Sequence, residues 1–555
     1  MEKFVVHLLQ KENLLKSIHT GSIQKIISSS IEQKFTDKVI LMSSFNLKNF
    51  SFESEGITPL FLSSKGIYSL DEDIHHSFGK IESEFNVKIF YGEKKEDNLL
   101  YLFIDTENIY LHKVNSFKGR IYEKFYIESD KFEKINDYEK IVEFAEPAVK
   151  CIELLSKNIE CPSPIVFSHE VFGIPAIMNA KMNNVNIRAC FLSYEVHAIR
   201  DIVCSHPGHD VAFYNILRHA KNQGKSLEEV FGDRSYIYQF ELMRNLYLFD
   251  YIFTIGGMLK EELAFIDKKI DKKKIFPVFR GIELDFKALA SRKEEDRNTI
   301  RKVFSQKIDF DADMIFLHTT RLSISKGIWR DFRVLEVLDE KIDKNCIFVI
   351  LGSSAGVHKD IDGLKKISDD YNWPVNHKGG FPDLIDYETE VWWMVNEFNK
   401  NSKRIKVLFV NQPGINKEIF NWPDGFEISN VLNGADLVFG QSIYEPYGVS
   451  QAEAALMNNV VLASSQSGFI AQFKDFELKN IIPAEYVSMG RNMDMESLRN
   501  ISIEERNSME REYSKKIADI IIERLSEKDN YNIKDEVLKR IDWNEISKNI
   551  FKNIK

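Results

Sequence analysis

Asp436–Asn459 reads DLVFGQSIYEPYGVSQAEAALMNN, and the order of residue types in it decides the fold. Leu437–Phe439 is a short β-rich run. Pro446 and Gly448 then interrupt the chain, and an alanine-rich helix opens near Ser450. Glu445 therefore falls on a loop and Glu453 inside a helix. Strand, broken loop and helix in that order make one unit of a parallel α/β sheet. Both carboxylates are then expected in the crevice at the carboxyl end of the strands, where such sheets bind ligands. The helix N-terminus between them offers unpaired N–H groups and the positive end of a dipole, which suits a diphosphate.

The same alternation runs outward in both directions. After the midpoint, Met314–Thr319, Cys346–Leu351, Ile405–Val410 and Val460–Ala463 are apolar enough to be buried strands. Before it, the β-rich runs are Phe4–Leu9, Lys38–Ser43, Ile165–Ser168, Ile187–Ser193, Tyr251–Ile255 and Ile275–Phe279. Asn98–Tyr126 reads as hairpins or a meander, followed by a helix over about Asp137–Leu155. Lys287–Lys302, KALASRKEEDRNTIRK, is charged and poor in β-branched residues, a linker running into a helix. The expected organisation is an N-terminal Rossmann-like domain over 1–290, a C-terminal one over 291–535, and a closing helical segment over 536–555.

A second stretch, Leu317–Glu336 (LHTTRLSISKGIWRDFRVLE), repeats the pattern. A strand ends near Arg321, Lys326-Gly327 lies on the loop, and a helix follows. Two cations at a strand's carboxyl end can converge on a pyrophosphate, Arg through a forked contact and Lys as a point charge. A surface ion pair is the plainer reading of either residue.

The chain of 555 residues exceeds one ordinary core and suits two large domains. With 44% hydrophobic and 28% charged residues it has ordinary globular usage. Its net charge of −10, without a strongly basic block, gives no footprint for nucleic acid. The five cysteines are scattered and form no C-x-x-C pair, as in a reduced compartment. No apolar run approaches the ~18–20 residues that cross a bilayer, and the first residues show no signal-peptide pattern. A cytoplasmic protein is the expectation.

The E-P-Y-G-x-x-x-x-E arrangement of Glu445–Glu453 resembles the E-x7-E signature of retaining glycosyltransferases with the two-Rossmann GT-B fold, the group that includes glycogen and starch synthases and the family-four transferases. The resemblance implies two parallel-sheet domains facing an interdomain cleft, with the nucleotide sugar held mainly by the C-terminal one and a closing helix over 536–555 that crosses back to the N-terminal domain. By it, Glu445 contacts the donor sugar and Glu453 the nucleotide ribose. Arg321 and Lys326 match the group's R-x4-K-G loop, whose basic residues stabilise the departing nucleoside diphosphate. Tyr447, Gly448 and Val449 line the same site. Gly21, in HTGSIQKII after the first strand, stands where the family has a glycine-rich loop, although two glycines are common there. Asn459 and Gly256 depart from the family, as does the region between about 50 and 130. On this basis the expected reaction moves a hexosyl group from a nucleoside diphosphate sugar to a hydroxyl acceptor, a glucan or a small polyol or acid. It needs no cofactor beyond that co-substrate and no metal.

Several residues carry two readings. Ser450-x-x-Glu453 is also a capping-box pattern, in which Glu453 serves only a backbone N–H. His197 and His169 end β-rich runs, and a lone His there is commonly structural; the resemblance places His197 over the donor sugar. In Ser205–Asp210, SHPGHD, residues His206, His209 and Asp210 with His197 offer metal-ligand types. An acceptor-side loop, with Arg200 beside it, is the preferred reading. At the level of function the alternatives are a GT-B sugar-nucleotide epimerase, a phosphorylase-like enzyme, or a non-catalytic sugar-nucleotide-binding partner.

Overall fold

The computed structural model describes residues 4–10, 18–49, 52, 55–354, 384–411, 415, 420–527 and 534–554. The chain divides into two compact units. The first comprises Met1–Ile199, Gln223–Gly281 and Ile541–Lys555; the second comprises Arg200–Asn222 and Ile282–Arg540. Arg200–Asn222, expected within the first domain, thus belongs to the second unit. The expected boundary at 290/291 gives way to Gly281/Ile282.

The first unit is built on ten strands: β1 (Phe4–Leu8), β2 (Lys38–Ser44), β3 (Thr58–Leu62), β4 (Ile67–Tyr68), β5 (Lys88–Lys94), β6 (Leu99–Asp105), β7 (Ile165–His169), β8 (Arg188–Ser193), β9 (Tyr251–Thr254) and β10 (Ile275–Pro277). Their order is β10-β9-β8-β7-β1-β2-β6-β5-β3-β4. All pairs from β10 to β6 are parallel. The β6-β5, β5-β3 and β3-β4 pairs are antiparallel. This edge, within the region that departs from the family pattern, was not foreseen. The meander expected over Asn98–Tyr126 is instead β6 followed by a helix, Leu111–Phe125. Its buried residues Val114, Phe117 and Ile121 recur at helical spacing. Gly21 likewise lies on the Ile18–Glu32 helix and not on a loop before it.

The last helix, Trp543–Asn553, completes this unit. Ser29 Oγ donates to Asn544 Oδ1 at 2.7 Å, and Phe35 stacks on Phe551. Gly281 passes so close to Trp543 that a Cβ there would come within 2.4 Å of the indole.

The second unit is an all-parallel sheet of β11 (Met314–Thr319), β12 (Cys346–Leu351), β13 (Ile405–Val410), β14 (Leu437–Gly440), β15 (Val460–Ser464) and β16 (Ile481–Ala484). The order is β13-β12-β11-β14-β15-β16. Cys346–Leu351 is buried throughout, as expected of a central strand covered on both faces. The rings of Phe348 and Phe439 meet edge to face at 5.0 Å within this core. Each such fully buried side chain stabilises the fold by roughly 1.5–3 kcal/mol. No helix among the described residues is long and apolar enough to cross a membrane.

Candidate functional site

In the second sheet β11 lies between β12 and β14, so the chain winds one way to β12 and β13 and the other way to β14, β15 and β16. The loops that leave β11 and β14 at their carboxyl ends therefore diverge at a topological switch point, where open α/β sheets bind ligands. These are the loops that carry the two motifs. The register Phe316↔Leu437 and Leu317↔Val438 sets their roots side by side.

The structure brings the motifs together. Lys326 Nζ lies 2.7 Å from Glu445 Oε2, with both side chains mostly covered at 15% and 14% exposure. Ser442 Oγ donates to the same carboxylate oxygen at 3.1 Å. Backbone bonds from Ile443 N and Tyr444 N to Ser325 O, at 2.9 and 3.2 Å, hold the two loops against each other. Gly327 has φ +63°, and a Cβ there would come within 2.8 Å of Gln441 O. The Lys-Gly pairing thus has two physical causes, a left-handed backbone and a close approach of the neighbouring loop. Arg321 is exposed and has no side-chain hydrogen bond or ion pair among the described residues.

Gly448, at φ +91°, precedes the Val449–Leu456 helix as its N-cap. Val449 is therefore the first helical residue, and Ser450 stands inside the helix. Ser450 Oγ donates to Thr319 O at 3.3 Å, and the N-cap residue, Gly448, has no side chain with which to cap this helix. The capping-box reading of Ser450 and Glu453 does not describe this N-terminus. Glu453 is half-buried in the helix. Tyr447 is buried at 3% exposure, with its hydroxyl donating to Gln472 Oε1 at 2.5 Å. Its N–H aside, Tyr447 also accepts from Phe469 N through its carbonyl at 2.9 Å, which ties the loop to the segment after β15.

Behind the Lys326 loop lies a buried polar network on the Ile328–Lys341 helix. Arg330 is fully buried. Its guanidinium donates to Asp210 Oδ1 at 2.6 Å, Glu510 Oε1 at 2.7 Å and Gln441 O at 3.3 Å, and it lies 3.9 Å over the Tyr486 ring. Burial alone would disfavour its charge, but Asp210 and Glu510 hold the guanidinium above its ordinary range. Burial pushes Glu510 upward, yet Arg330 and Arg333 overcome this and hold its carboxylate below the usual range. The adjacent Asp331 has one oxygen 2.6 Å from His318 Nδ1, and its other oxygen accepts from Gln441 Nε2 at 2.9 Å.

This network places the SHPGHD segment. Asp210 is held by Arg330, His209 Nδ1 lies 2.8 Å from Val203 O, and His206 Nδ1 accepts from Gly208 N at 3.0 Å. The His209 ring packs on Trp329 at 5.3 Å. Burial, helped by the nearby Arg506 charge, lowers His209 to about 4. His206 and His209, expected on the acceptor side of the first domain, are thus packed within the second unit. Arg200, half-buried, opens the same segment.

In the first unit β1 lies between β7 and β2, a second switch point, and two histidines mark it. His7 Nδ1 is 2.9 Å from His169 Nε2, and His169 Nδ1 is 3.3 Å from the Tyr194 hydroxyl. Burial holds His169 down at about 3, and burial with His169 lowers His7 as well. His197 begins the His197–Ser205 helix, its Nε2 3.1 Å from Glu195 Oε1. Ser442, Gln441 and Asp331 escaped the sequence reading. Only Ser442, three residues before Glu445, left a local signal.

No protein-family model matches the chain, and no curated protein does. Among solved structures it is similar to an alpha,alpha-trehalose-phosphate synthase (UDP-forming) from Burkholderia vietnamiensis, at 10% identity and TM-score 0.48, covering 100% of both chains. It is similar at 12% identity and TM-score 0.46, again over 100% of both, to "Trehalose-6-phosphate from E. coli bound with UDP-2-fluoro glucose". The N-terminal domain of Candida albicans trehalose-6-phosphate phosphatase gives 13% and 0.46, covering 99% of this chain and 96% of that one.

Proposed function

We propose that the chain is a nucleotide-sugar-dependent glycosyltransferase of GT-B architecture, transferring a hexosyl group from a nucleoside diphosphate sugar to a hydroxyl acceptor with retention. The observation that carries this reading is the Lys326–Glu445 pair at the switch point of the second sheet, beside a helix that Gly448 opens without a side-chain cap. Cation, carboxylate and helix N-terminus are the three elements that a sugar diphosphate requires: a charge for the phosphates, an acceptor for sugar hydroxyls, and backbone donors.

As the glycosidic bond breaks, negative charge grows on the diphosphate and positive charge on the sugar ring. Lys326, Arg321 and the first N–H groups of the Val449–Leu456 helix oppose the former. Glu445 accepts from the sugar hydroxyls, and Glu453, on the second turn of that helix, from the ribose. His197 orients the sugar. Gly21, for the nucleotide sugar, and Arg200, His206 and His209, for the acceptor, belong to this proposal on the family resemblance alone.

A thermal-shift screen against UDP-, ADP- and GDP-sugars tests it, followed by mass spectrometry of products with the best binder. Ligand at ~100 times its Kd adds ~2.7 kcal/mol of stability. Absence of any shift with every sugar nucleotide overturns the proposal. Turnover without an acceptor favours an epimerase, and a requirement for inorganic phosphate favours a phosphorylase.

A further inference from the structure

Glu445 and Lys326 stand 119 residues apart in sequence; Glu445 is on a loop and Lys326 ends the single 3-10 turn Ile324–Lys326. Loops hold a separation only where something rigid sets it. One residue touches both sides. Gln441 follows β14 directly and is fully buried. Its Nε2 donates to Asp331 Oδ1 at 2.9 Å, and its Oε1 accepts from the Tyr486 hydroxyl at 2.7 Å. Its backbone carbonyl accepts from Arg330 at 3.3 Å and fills the space that a Cβ on Gly327 would need. Three of these four partners, Gly327, Arg330 and Asp331, lie within five residues of Lys326, on the turn and helix that it opens onto. On the other side, the next residue, Ser442, donates to the Glu445 oxygen that Lys326 also reaches. Asp331 is itself fixed from behind by His318.

We infer that Gln441 is a positioning residue whose carboxamide sets the geometry of the Lys326–Glu445 pair. It is too deeply buried to reach a ligand and acts only through its neighbours. The carboxamide suits the task because it donates to a carboxylate with one end and accepts from a phenol with the other, leaving no buried polar atom of its own unpaired. A leucine would fill the volume and satisfy neither partner. A carboxylate would face Asp331 with a second negative charge. The role assigned to the pair rests on the glycosyltransferase reading; the geometric claim does not.

The test uses Gln441→Glu alone and combined with Asp331→Asn. The double variant restores the bond between positions 331 and 441 with donor and acceptor exchanged, and the Tyr486 hydroxyl still donates to residue 441. The first readout is the rate at which acetic anhydride labels Lys326, followed by peptide mass spectrometry against the exposed lysines as internal standards. Gln441→Glu should release the pair and speed Lys326 labelling several-fold, and the double variant should return it to the wild-type rate. The second readout is turnover of whichever sugar nucleotide the wild type uses. A misplacement of about 1 Å costs on the order of 10²-fold, so kcat should fall while affinity for the bare nucleotide stays within about twofold, with recovery in the double variant. Should Gln441→Glu fail to fold, Tyr486→Phe removes one of the two bonds more gently and carries the same readouts. Unchanged Lys326 labelling in a folded single variant overturns the inference, as does a double variant no better than the single. If the wild type turns over no sugar nucleotide, the functional reading fails and the labelling result still decides the role of Gln441.

Discussion

Lys326 Nζ sits 2.7 Å from Glu445 Oε2, so the cation of one motif and the carboxylate of the other form a single charge pair. On the glycosyltransferase proposal, the ligand takes its phosphates to Lys326 and its sugar to Glu445. Lys326 should matter most when charge develops on the leaving group. Lys326→Ala is expected to lower kcat by about 10²–10³-fold, the usual loss for one such donor, with a smaller change in KM. Arg321→Ala should act in the same direction without moving Tm, since Arg321 is exposed and has no polar partner among the described residues. Steady-state kinetics and melting curves on both variants check this. Near-normal turnover in both places the chemistry elsewhere.

The two carboxylates should separate in their effects. Glu453→Ala should weaken binding of the bare nucleoside diphosphate. Glu445→Gln should spare that affinity and reduce turnover of the intact sugar nucleotide. Calorimetric titration with bare nucleotide, compared with kinetics on the sugar nucleotide, distinguishes them.

Ser450 is inside its helix and not at the cap. Its hydroxyl makes one long bond, to Thr319 O, so Ser450→Ala should cost no more than about 0.5 kcal/mol, the low end for a hydrogen bond. Loss of a true N-cap costs typically about 1 kcal/mol. A Tm loss of the larger size would return Glu453 to a capping role.

Arg330 is wholly enclosed with Asp210 and Glu510. Asp210→Ala leaves that cation with one fewer buried partner, and breaking a buried pair from one side costs about 3–5 kcal/mol. A large fall in Tm is the expected result, far larger than from His206→Ala, whose ring is only part-covered. Equal effects from the two variants would argue that the Arg330 network does not anchor this segment.

Acidification should destabilise the first unit through its histidine pair. His169 titrates near 3 in the folded chain against an ordinary value near 6.5. Below about 6.5 the unfolded chain therefore takes up a proton that the folded chain refuses. The contribution is complete above that value and is lost progressively as pH falls from about 6.5 toward 3. Its steepest effect is ~1.4 kcal/mol per pH unit for one proton. His7 and His209 are lowered too and act in the same direction. Melting curves between pH 7.5 and about 5, above most carboxylate titrations, should show Tm falling in wild type and falling less steeply in His169→Gln. Parallel slopes would contradict the buried neutral pair.

The second sheet was legible because central parallel strands are covered on both faces, and Met314–Thr319, Cys346–Leu351 and Ile405–Val410 are mostly apolar runs with those bounds. The Leu111–Phe125 helix was not. Its preceding strand and aromatic start, IYLHKV, mimic a β-rich run and mask the helical spacing of Val114, Phe117 and Ile121. At the site, Lys326 and Glu445 could be read because each sits in a local pattern of strand, loop breaker and helix. The residues that fix them could not. Arg330 meets Asp210 across 120 positions and Glu510 across 180, and no local pattern encodes such a partnership. The same distance hid the membership of Arg200–Asn222, whose anchor is Asp210.

The first unit is assembled from three stretches of chain, and its last helix, with Trp543 against Gly281, comes after the whole of the second unit in sequence. During synthesis the second unit has all its residues before the first has its final helix. The ten strands of the first sheet are all translated by Pro277, but the surface of the Ile18–Glu32 helix that later meets Trp543–Asn553 stays uncovered until translation has passed Arg540. A ribosome stalled shortly before that point should therefore display a protease-resistant second unit beside a first unit still open to cleavage.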